Sequence, residues 1–282
     1  MDWYRGKRVF ITGGSSGIGK ATAKLLAQAG ANVIIGARGE QRLHEALEEL
    51  NAVPTPGGQT FGTVTLDVAD LASVERAATE VKRRLGGLDI LINNAGQAHP
   101  GYVQDVSPEV YETMMRVNYF GPVWVTRAFL PTFMEQRSGH IANVASLLGY
   151  MGIFGYSAYA ASKFAIVGFS DCLRQDLLPY GVGVSVLFPP DTDTPQLAEE
   201  NRFKPAETKA IAGNVKVMSA EAVAKELLDG MAAGKYHILP GFDNKMTYFL
   251  YRHFPWLVRW KIDGDLRKYR KKNGGTQVSA GN

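Results

Sequence analysis

The β-branched run RVFIT at residues 8–12 passes directly into TGGSSGIG at 12–19 and then into KATAKLLAQAG at 20–30. A strand-like run, a glycine-rich turn and a segment with apolar spacing near 3.6, joined without a gap, constrain this chain more than any other feature. Glycines at 13, 17 and 19 permit a tight turn and close approach of backbone to a pyrophosphate. The helix that follows offers unpaired N–H groups to the anion.

The alternation then repeats. NVIIG at 32–36, TVTLD at 63–67, LDILI at 88–92, HIANV at 140–144 and GVSVLF at 183–188 are further strand-like runs, separated by segments of helical period. Strands alternating with helices predict an α/β fold, a doubly wound parallel sheet of the Rossmann kind, covered on both faces. One catalytic domain is expected over residues 1–245, with the Pro/Gly-rich connector NAVPTPGGQ at 51–59 inside it. The pattern breaks after the strand-like YHILP at 236–240, and an aromatic and basic extension is expected over 246–282.

With 282 residues, 45% hydrophobic and 21% charged, the composition is that of a soluble globular enzyme. The single cysteine, Cys172, excludes an intrachain disulfide and reads as a packing residue of a helix. The N-terminal residues carry no apolar signal region, and no run approaches the ~20 apolar residues of a membrane span. A cytoplasmic protein is expected. The formal charge of +4 is uneven: residues 252–272 hold eight Lys/Arg against Asp263 and Asp265.

The second strand-like run ends IIGAR, with Ala37 and Arg38 where an acidic residue would accept from a ribose hydroxyl. Arg38, with Arg42 one helical turn on, can instead grip a 2′-phosphate through charge-assisted hydrogen bonds. The expected cofactor is NADPH.

NVASLLGYMGIFGYSAYAASK contains Ser146, Tyr159 and Lys163. Tyr159 and Lys163 stand four apart, on one face of a helix. An unperturbed tyrosine, with a pKa of about 10, is a poor acid or base near neutrality. A nearby ammonium and an oxidised nicotinamide ring should lower that value. Ser146 would hold a substrate carbonyl while Tyr159 donates the proton. The rival Tyr156 has Ala160, not lysine, four residues on. Asn118, in MRVNYFGPVWVT, is the fourth candidate, because Pro122 lacks the N–H that would bond the carbonyl of residue 118.

Together, TGGSSGIG, LDV at 66–68, NNAG at 93–96 and the Asn118–Ser146–Tyr159–Lys163 set resemble the short-chain dehydrogenase/reductase family over residues 6–240. That resemblance implies a cofactor site made of Gly13, Ser15, Ser16, Gly17, Ile18 and Gly19, then Arg38 and Arg42, with Asp67 and Val68 by the adenine. It also implies Asn94, Ala95 and Gly96 as a supporting turn, and Tyr159, Lys163, Pro189, Thr192 and Thr194 at the nicotinamide end. No metal is implied.

FPPDTDTPQLAEEN at 188–201 departs from the family's usual Pro-Gly by having Pro190. PPDTDTP, LAEEN and KPAETK resemble the 3-ketodihydrosphingosine reductase branch, which implies NADPH-dependent reduction of the ketone of a long-chain keto-lipid, 3-ketosphinganine to sphinganine. Another lipophilic carbonyl, such as a ketosteroid, is the alternative within enzymes. A weakly catalytic, NADPH-binding, membrane-docking protein is the alternative outside them. Asp191, Asp193, Glu199 and Glu200 could attract a cationic amino headgroup; equally, Thr194 could cap a helix whose first turn is made negative by Glu199 and Glu200.

MTYFLYRHFPWLVRW at 246–260 holds six of the chain's 29 Phe, Trp and Tyr residues. Aromatic and basic residues mixed in this way suit a membrane interface, a lid over an acyl channel or a dimer contact. Peripheral membrane contact through 246–272, combined with a lid role, and a homo-oligomer are expected. Nucleic acid is not an expected partner.

Overall fold

The strand β1 (Arg8–Thr12) alternates its side chains between two cores, as a strand period of two requires. Val9 and Ile11 enter one apolar cluster, and Phe10 enters the other. A strand buried on both faces needs a layer of helices on each side. The computed structural model, which describes residues 1–212 and 217–273, has that arrangement.

After β1 come α1 (Gly17–Gln28), β2 (Asn32–Ala37), α2 (Glu40–Asn51), β3 (Phe61–Thr65), α3 (Leu71–Leu85) and β4 (Ile90–Asn93). The second half adds α4 (Pro108–Met115), α5 (Gly121–Gln136), β5 (Gly139–Val144), α6 (Ser157–Leu177) and β6 (Val182–Leu187). A short β7 (Thr192–Asp193), α7 (Pro195–Phe203), α8 (Ala206–Ala212), β8 (Met218–Ser219), α9 (Ala220–Ala232) and β9 (His237–Ile238) follow. Two helices, α10 (Phe242–His253) and α11 (Pro255–Lys272), close the described chain.

Seven strands form one parallel sheet in the order β3-β2-β1-β4-β5-β6-β9. The strand order reverses between β1 and β4, the place where open sheets of this kind leave a crevice. The expected doubly wound fold is what the chain adopts. The last strand is shorter than the run at 236–240 suggested, since Pro240 has no N–H to continue the ladder. β7 and β8 pair in a separate two-stranded ribbon over the sheet's C-terminal edge, which periodicity did not signal.

Cys172, read from sequence as a packing residue, is exposed on α6. Its neighbour Leu173 takes the buried position instead. In the extension, α10 is fixed to the sheet: the buried Asn244 donates to the Phe188 carbonyl at 2.6 Å and accepts from the Tyr150 hydroxyl at 3.0 Å. Residues 274–282 of the expected extension lie outside the described residues.

Candidate active site

The C-terminal ends of β1, β2, β4, β5 and β6 open into one cleft of about 1520 Å³. That is larger than the roughly 300–1,000 Å³ of an ordinary small-ligand pocket, and leaves space for a dinucleotide and a second ligand together.

At one end lies the turn between β1 and α1. Gly13 has φ +68° and donates to the Gly36 carbonyl at 2.7 Å. A Cβ at Gly19 would stand 2.4 Å from both the Gly13 carbonyl oxygen and Asn94 Nδ2, so only glycine lets α1 lie this close to the turn. Ser16 is the helix N-cap yet makes no side-chain capping bond, which leaves the first N–H groups of α1 facing the cleft. This cradle fits a pyrophosphate.

Gly13, Ser15, Ser16, Gly17 and Ile18 line the cleft, as do Arg38, Arg42, Asp67, Val68, Asn94, Ala95 and Gly96. Arg38 and Arg42 are exposed at its edge and make no salt bridge among the described residues. Thr12, which lay outside the sequence-expected set, locks the Asn94 turn to the glycine loop. Its Oγ1 accepts from the N–H groups of Asn94 and Ala95 at 3.1 and 3.0 Å. Asn94 Nδ2 in turn donates to the carbonyls of Thr12 and Gly13, each at 3.1 Å.

Ser146, Tyr159 and Lys163 meet in the middle of the cleft. Ser146 ends the loop after β5, where its Oγ accepts from Leu148 N at 3.1 Å. Tyr159 and Lys163 come from the first two turns of α6, and the Lys163 ammonium lies 5.7 Å from the centre of the Tyr159 ring. Lys163 Nζ donates to the Val144 carbonyl at 2.9 Å. Burial brings its pKa down to about 8, against a smaller upward pull from the negative charge of Glu200.

The Tyr159 hydroxyl departs from expectation. It is raised, not lowered, in the protein alone: burial is the largest cause, Glu200 adds to it, and the Ser146 hydroxyl opposes it. The ammonium that was to lower it is itself desolvated and turned toward a carbonyl.

Asn118 and Gly19 do not reach the cleft surface. Asn118 is buried behind it, accepting from Gln97 N at 3.0 Å and donating to the Gln97 carbonyl and Ser162 Oγ, each at 2.9 Å. It ties the loop after β4 to the helix that carries Tyr159 and Lys163. Residues Arg116–Phe120 make a π-helical turn in which Gly121 N–H donates to the Arg116 carbonyl. This wide turn is the form taken by the break expected at Pro122, which starts the next helix.

Pro189, Thr192 and Thr194 also line the cleft, and Thr194 packs against Gly17 of the glycine loop. Both threonine hydroxyls are bonded to backbone: Thr192 to the Pro190 carbonyl at 2.8 Å, Thr194 to the Thr192 carbonyl at 3.2 Å. Thr194 also caps α7, accepting from Leu197 N at 3.2 Å. The cleft is also lined by Leu148, Met151 and Ile153, by Ile211 of α8, and by Val258, Lys261, Ile262, Asp265 and Lys268 of α11. α11 leans on α8 there, with Arg270 3.7 Å from the buried Glu207 carboxylate and 5.5 Å from the Phe154 ring centre. No group of three or more His, Cys, Asp or Glu able to hold a metal occurs among the described residues.

The family model for short chain dehydrogenases matches residues 7–205. The chain belongs to that family. It is 38% identical over 242 residues to the 3-ketodihydrosphingosine reductase of Bos taurus and 40% identical over 242 residues to the 3-dehydrosphinganine reductase of Danio rerio. Each match covers 86% of this chain and 73% of the relative. Among solved structures it is similar to a short chain dehydrogenase/reductase from Burkholderia phymatum in complex with NAD, at 27% identity and TM-score 0.79, covering 90% of this chain and 96% of that one. As a short chain dehydrogenase the protein is an oxidoreductase using a nicotinamide cofactor.

Proposed function

We propose that the protein reduces the ketone of a long-chain lipid with NADPH, and that the lipid is 3-ketosphinganine, giving sphinganine in sphingolipid biosynthesis. One observation carries this reading. Ser146, Tyr159 and Lys163 stand in a cleft that is suited to a dinucleotide and also has room for a second ligand, beside the apolar Leu148, Met151 and Ile153 and beneath an α11 face that mixes Val258 and Ile262 with Lys261, Asp265 and Lys268. The names of the bovine and zebrafish relatives support the same substrate.

The glycine cradle and the helix N-terminus of α1 would hold the pyrophosphate, and Arg38 and Arg42 the 2′-phosphate. Asp67 and Val68 would flank the adenine, and the Asn94–Gly96 turn, Pro189, Thr192 and Thr194 would border the nicotinamide end. When bound, NADPH supplies the hydride. Ser146 donates a hydrogen bond to the ketone oxygen, and Tyr159 transfers its phenolic proton to that oxygen as negative charge develops. A raised hydroxyl pKa keeps Tyr159 protonated until then. Lys163 stabilises the phenolate that remains, while Asn118 acts as a positioning residue through Gln97 and Ser162.

The outer face of α10 and α11 supports a peripheral position on the cytoplasmic face of a membrane. Phe249, Trp256 and Trp260 are 51%, 66% and 69% exposed, with Lys and Arg interspersed. No helix among the described residues is long and apolar enough to cross a membrane. Exposed Phe120 and Phe164 support self-association.

NADPH oxidation measured with 3-ketosphinganine, a ketosteroid and a short water-soluble ketone tests the reading. Fastest turnover of 3-ketosphinganine, with sphinganine as product, is expected. Preference for the steroid would move the substrate to another lipophilic carbonyl. Tight NADPH binding without turnover of any ketone would mark a binding protein.

A further inference from the structure

Four carboxylates follow β6, and the fold gives them different surroundings. Glu199 points out of α7 and pairs with Arg202 at 2.9 Å. Asp193 is exposed. Asp191 lies 3.8 Å from the ammonium of Lys204, a buried residue that also sits 6.0 Å from the centre of the Tyr156 ring.

Glu200 differs from all three. It is half-buried in the cleft wall, with Oε2 accepting from the Tyr156 hydroxyl at 2.9 Å and Oε1 from the Gln196 amide at 2.9 Å. Both donors are neutral, and among the described residues Glu200 makes no ion pair. Arg202, the cation nearest in sequence, pairs with Glu199, and Lys204 is taken by Asp191. Asp191 and Glu200 thus share one ammonium on this wall, and the Lys163 ammonium, within electrostatic reach of Glu200, donates to the Val144 carbonyl and forms no ion pair with it. An ionised carboxylate accepts at about four lone-pair positions, so Glu200 retains acceptor capacity. Holding it partly out of water is costly unless a cation joins it.

Its place relative to the reacting group is also fixed. Tyr156, which holds Glu200, packs against Tyr159 with ring centres 5.9 Å apart. The negative charge of Glu200 is felt at the Tyr159 hydroxyl, adding to the upward shift that burial causes. A cation that met Glu200 would therefore lie on the Tyr159 side of the cleft, near the ketone and away from the far end of a long chain.

We infer that Glu200 is the specificity-determining residue for the substrate's headgroup: it pairs with an ammonium on the carbon adjacent to the ketone, so that the site selects α-amino ketones over plain ketones of equal length. This rests on the reduction proposed at Tyr159 and adds the headgroup contact to it. Gln196 and Tyr156 act as positioning residues that aim the carboxylate.

The test compares kcat/KM for a long-chain 2-amino-3-ketone, its N-acetylated form and the plain 3-ketone of the same length. The wild-type protein, Glu200→Gln and Glu200→Asp are each assayed, with melting temperature and NADPH binding as checks on folding. Charge-assisted hydrogen bonds of this kind correspond to a preference of about 10- to 150-fold. The wild-type protein should show a preference of about that size for the free amine, lose it on N-acetylation, and lose it in Glu200→Gln. Glu200→Asp should keep part of it. The N-acetyl comparison needs no variant, so a poorly folding substitution leaves the test intact. If the wild-type protein prefers the free amine and Glu200→Gln keeps that preference, or N-acetylation has no effect, the assignment of Glu200 is overturned while the reduction stands. A wild-type preference for the plain ketone would instead overturn the α-amino ketone as substrate.

Discussion

The two ends of the cleft are built on different principles. At the dinucleotide end, each lining group follows a strand of the sheet within a few residues: Gly13 after β1, Arg38 after β2, Asp67 after β3, Asn94 after β4. The parallel sheet places those positions side by side, and Thr12 and Asn94 clamp them with hydrogen bonds of 3.0 to 3.1 Å. At the substrate end, the walls come from α7, α8, α10 and α11, which are joined by contacts such as Arg270 to Glu207 across 63 positions of chain. One end is set by the strand ladder. The other depends on how helices outside the sheet pack onto it.

The junction of the two ends is the most sensitive point. Tyr159→Phe should lower kcat by about 10²–10⁴-fold, the range of general acid catalysis, with NADPH binding nearly intact. Tyr156→Phe should keep substantial activity, because its hydroxyl serves Glu200. Steady-state kinetics with fluorescence titration of NADPH checks both, and the opposite ranking would misplace the proton donor.

The dinucleotide end is probed by Arg38→Ala. Loss of a charge-assisted phosphate contact should raise the Michaelis constant for NADPH by about 10- to 150-fold and change that for NADH far less. Equal effects on both cofactors would contradict the phosphate role.

That same end was the legible one. TGGSSGIG, NNAG and the Tyr-x-x-x-Lys spacing are local patterns whose chemistry depends on a single turn or helix face, so the fold and the co-location of Ser146, Tyr159 and Lys163 could be read from residues alone. Lys204 and Glu200 could not be told apart in that way from Arg202 and Glu199. All four are charged residues of one short segment, and only packing decides that Lys204 is buried against Asp191 while Arg202 faces water. The sign of the Tyr159 shift was also hidden, because burial and the charge of Glu200 raise it while the Lys163 ammonium donates to the Val144 carbonyl. Thr12 was missed as a clamp, although it opens the quoted motif.

The substrate end is probed at its outer face. Replacing Trp256 and Trp260 by serine should weaken sedimentation with acidic vesicles several-fold and leave turnover of a short soluble ketone in place, since both rings are exposed. Binding should fall as salt rises, because basic residues gain about 1 kcal/mol each near an anionic surface only within a Debye length. Truncation after Pro240 is a poorer test, because it also removes Asn244 from beneath Phe188. An unchanged vesicle affinity would assign the tail to packing alone.

The smallest effect concerns stability. Lys163 has a folded-state pKa of about 8 against 10.5 in the unfolded chain. Below pH 8 it is charged in both states and its burial penalises the native one. Between pH 8 and 10.5 the unfolded chain holds more protons, so this group's contribution to stability rises with pH. The Tyr159 hydroxyl, raised above 10, weakens the native state only at higher pH. Lys163→Met should therefore melt higher than the wild-type protein at pH 7, on the order of a few degrees. The gap should shrink by pH 10. Calorimetry of the cofactor-free proteins reads it, and a gap that widens with pH would reverse the sign.

In the proposed function, a cofactor end that would grip a 2′-phosphate meets a substrate end that would reduce a ketone. Supplying 3-ketosphinganine with NADPH deuterated at the transferable position, and in a parallel reaction with NADH so labelled, tests that union directly by mass spectrometry of the product. The expected result is sphinganine carrying one deuterium at carbon 3, formed much faster from the phosphorylated cofactor. Unlabelled product, no sphinganine, or equal rates with both cofactors would contradict it.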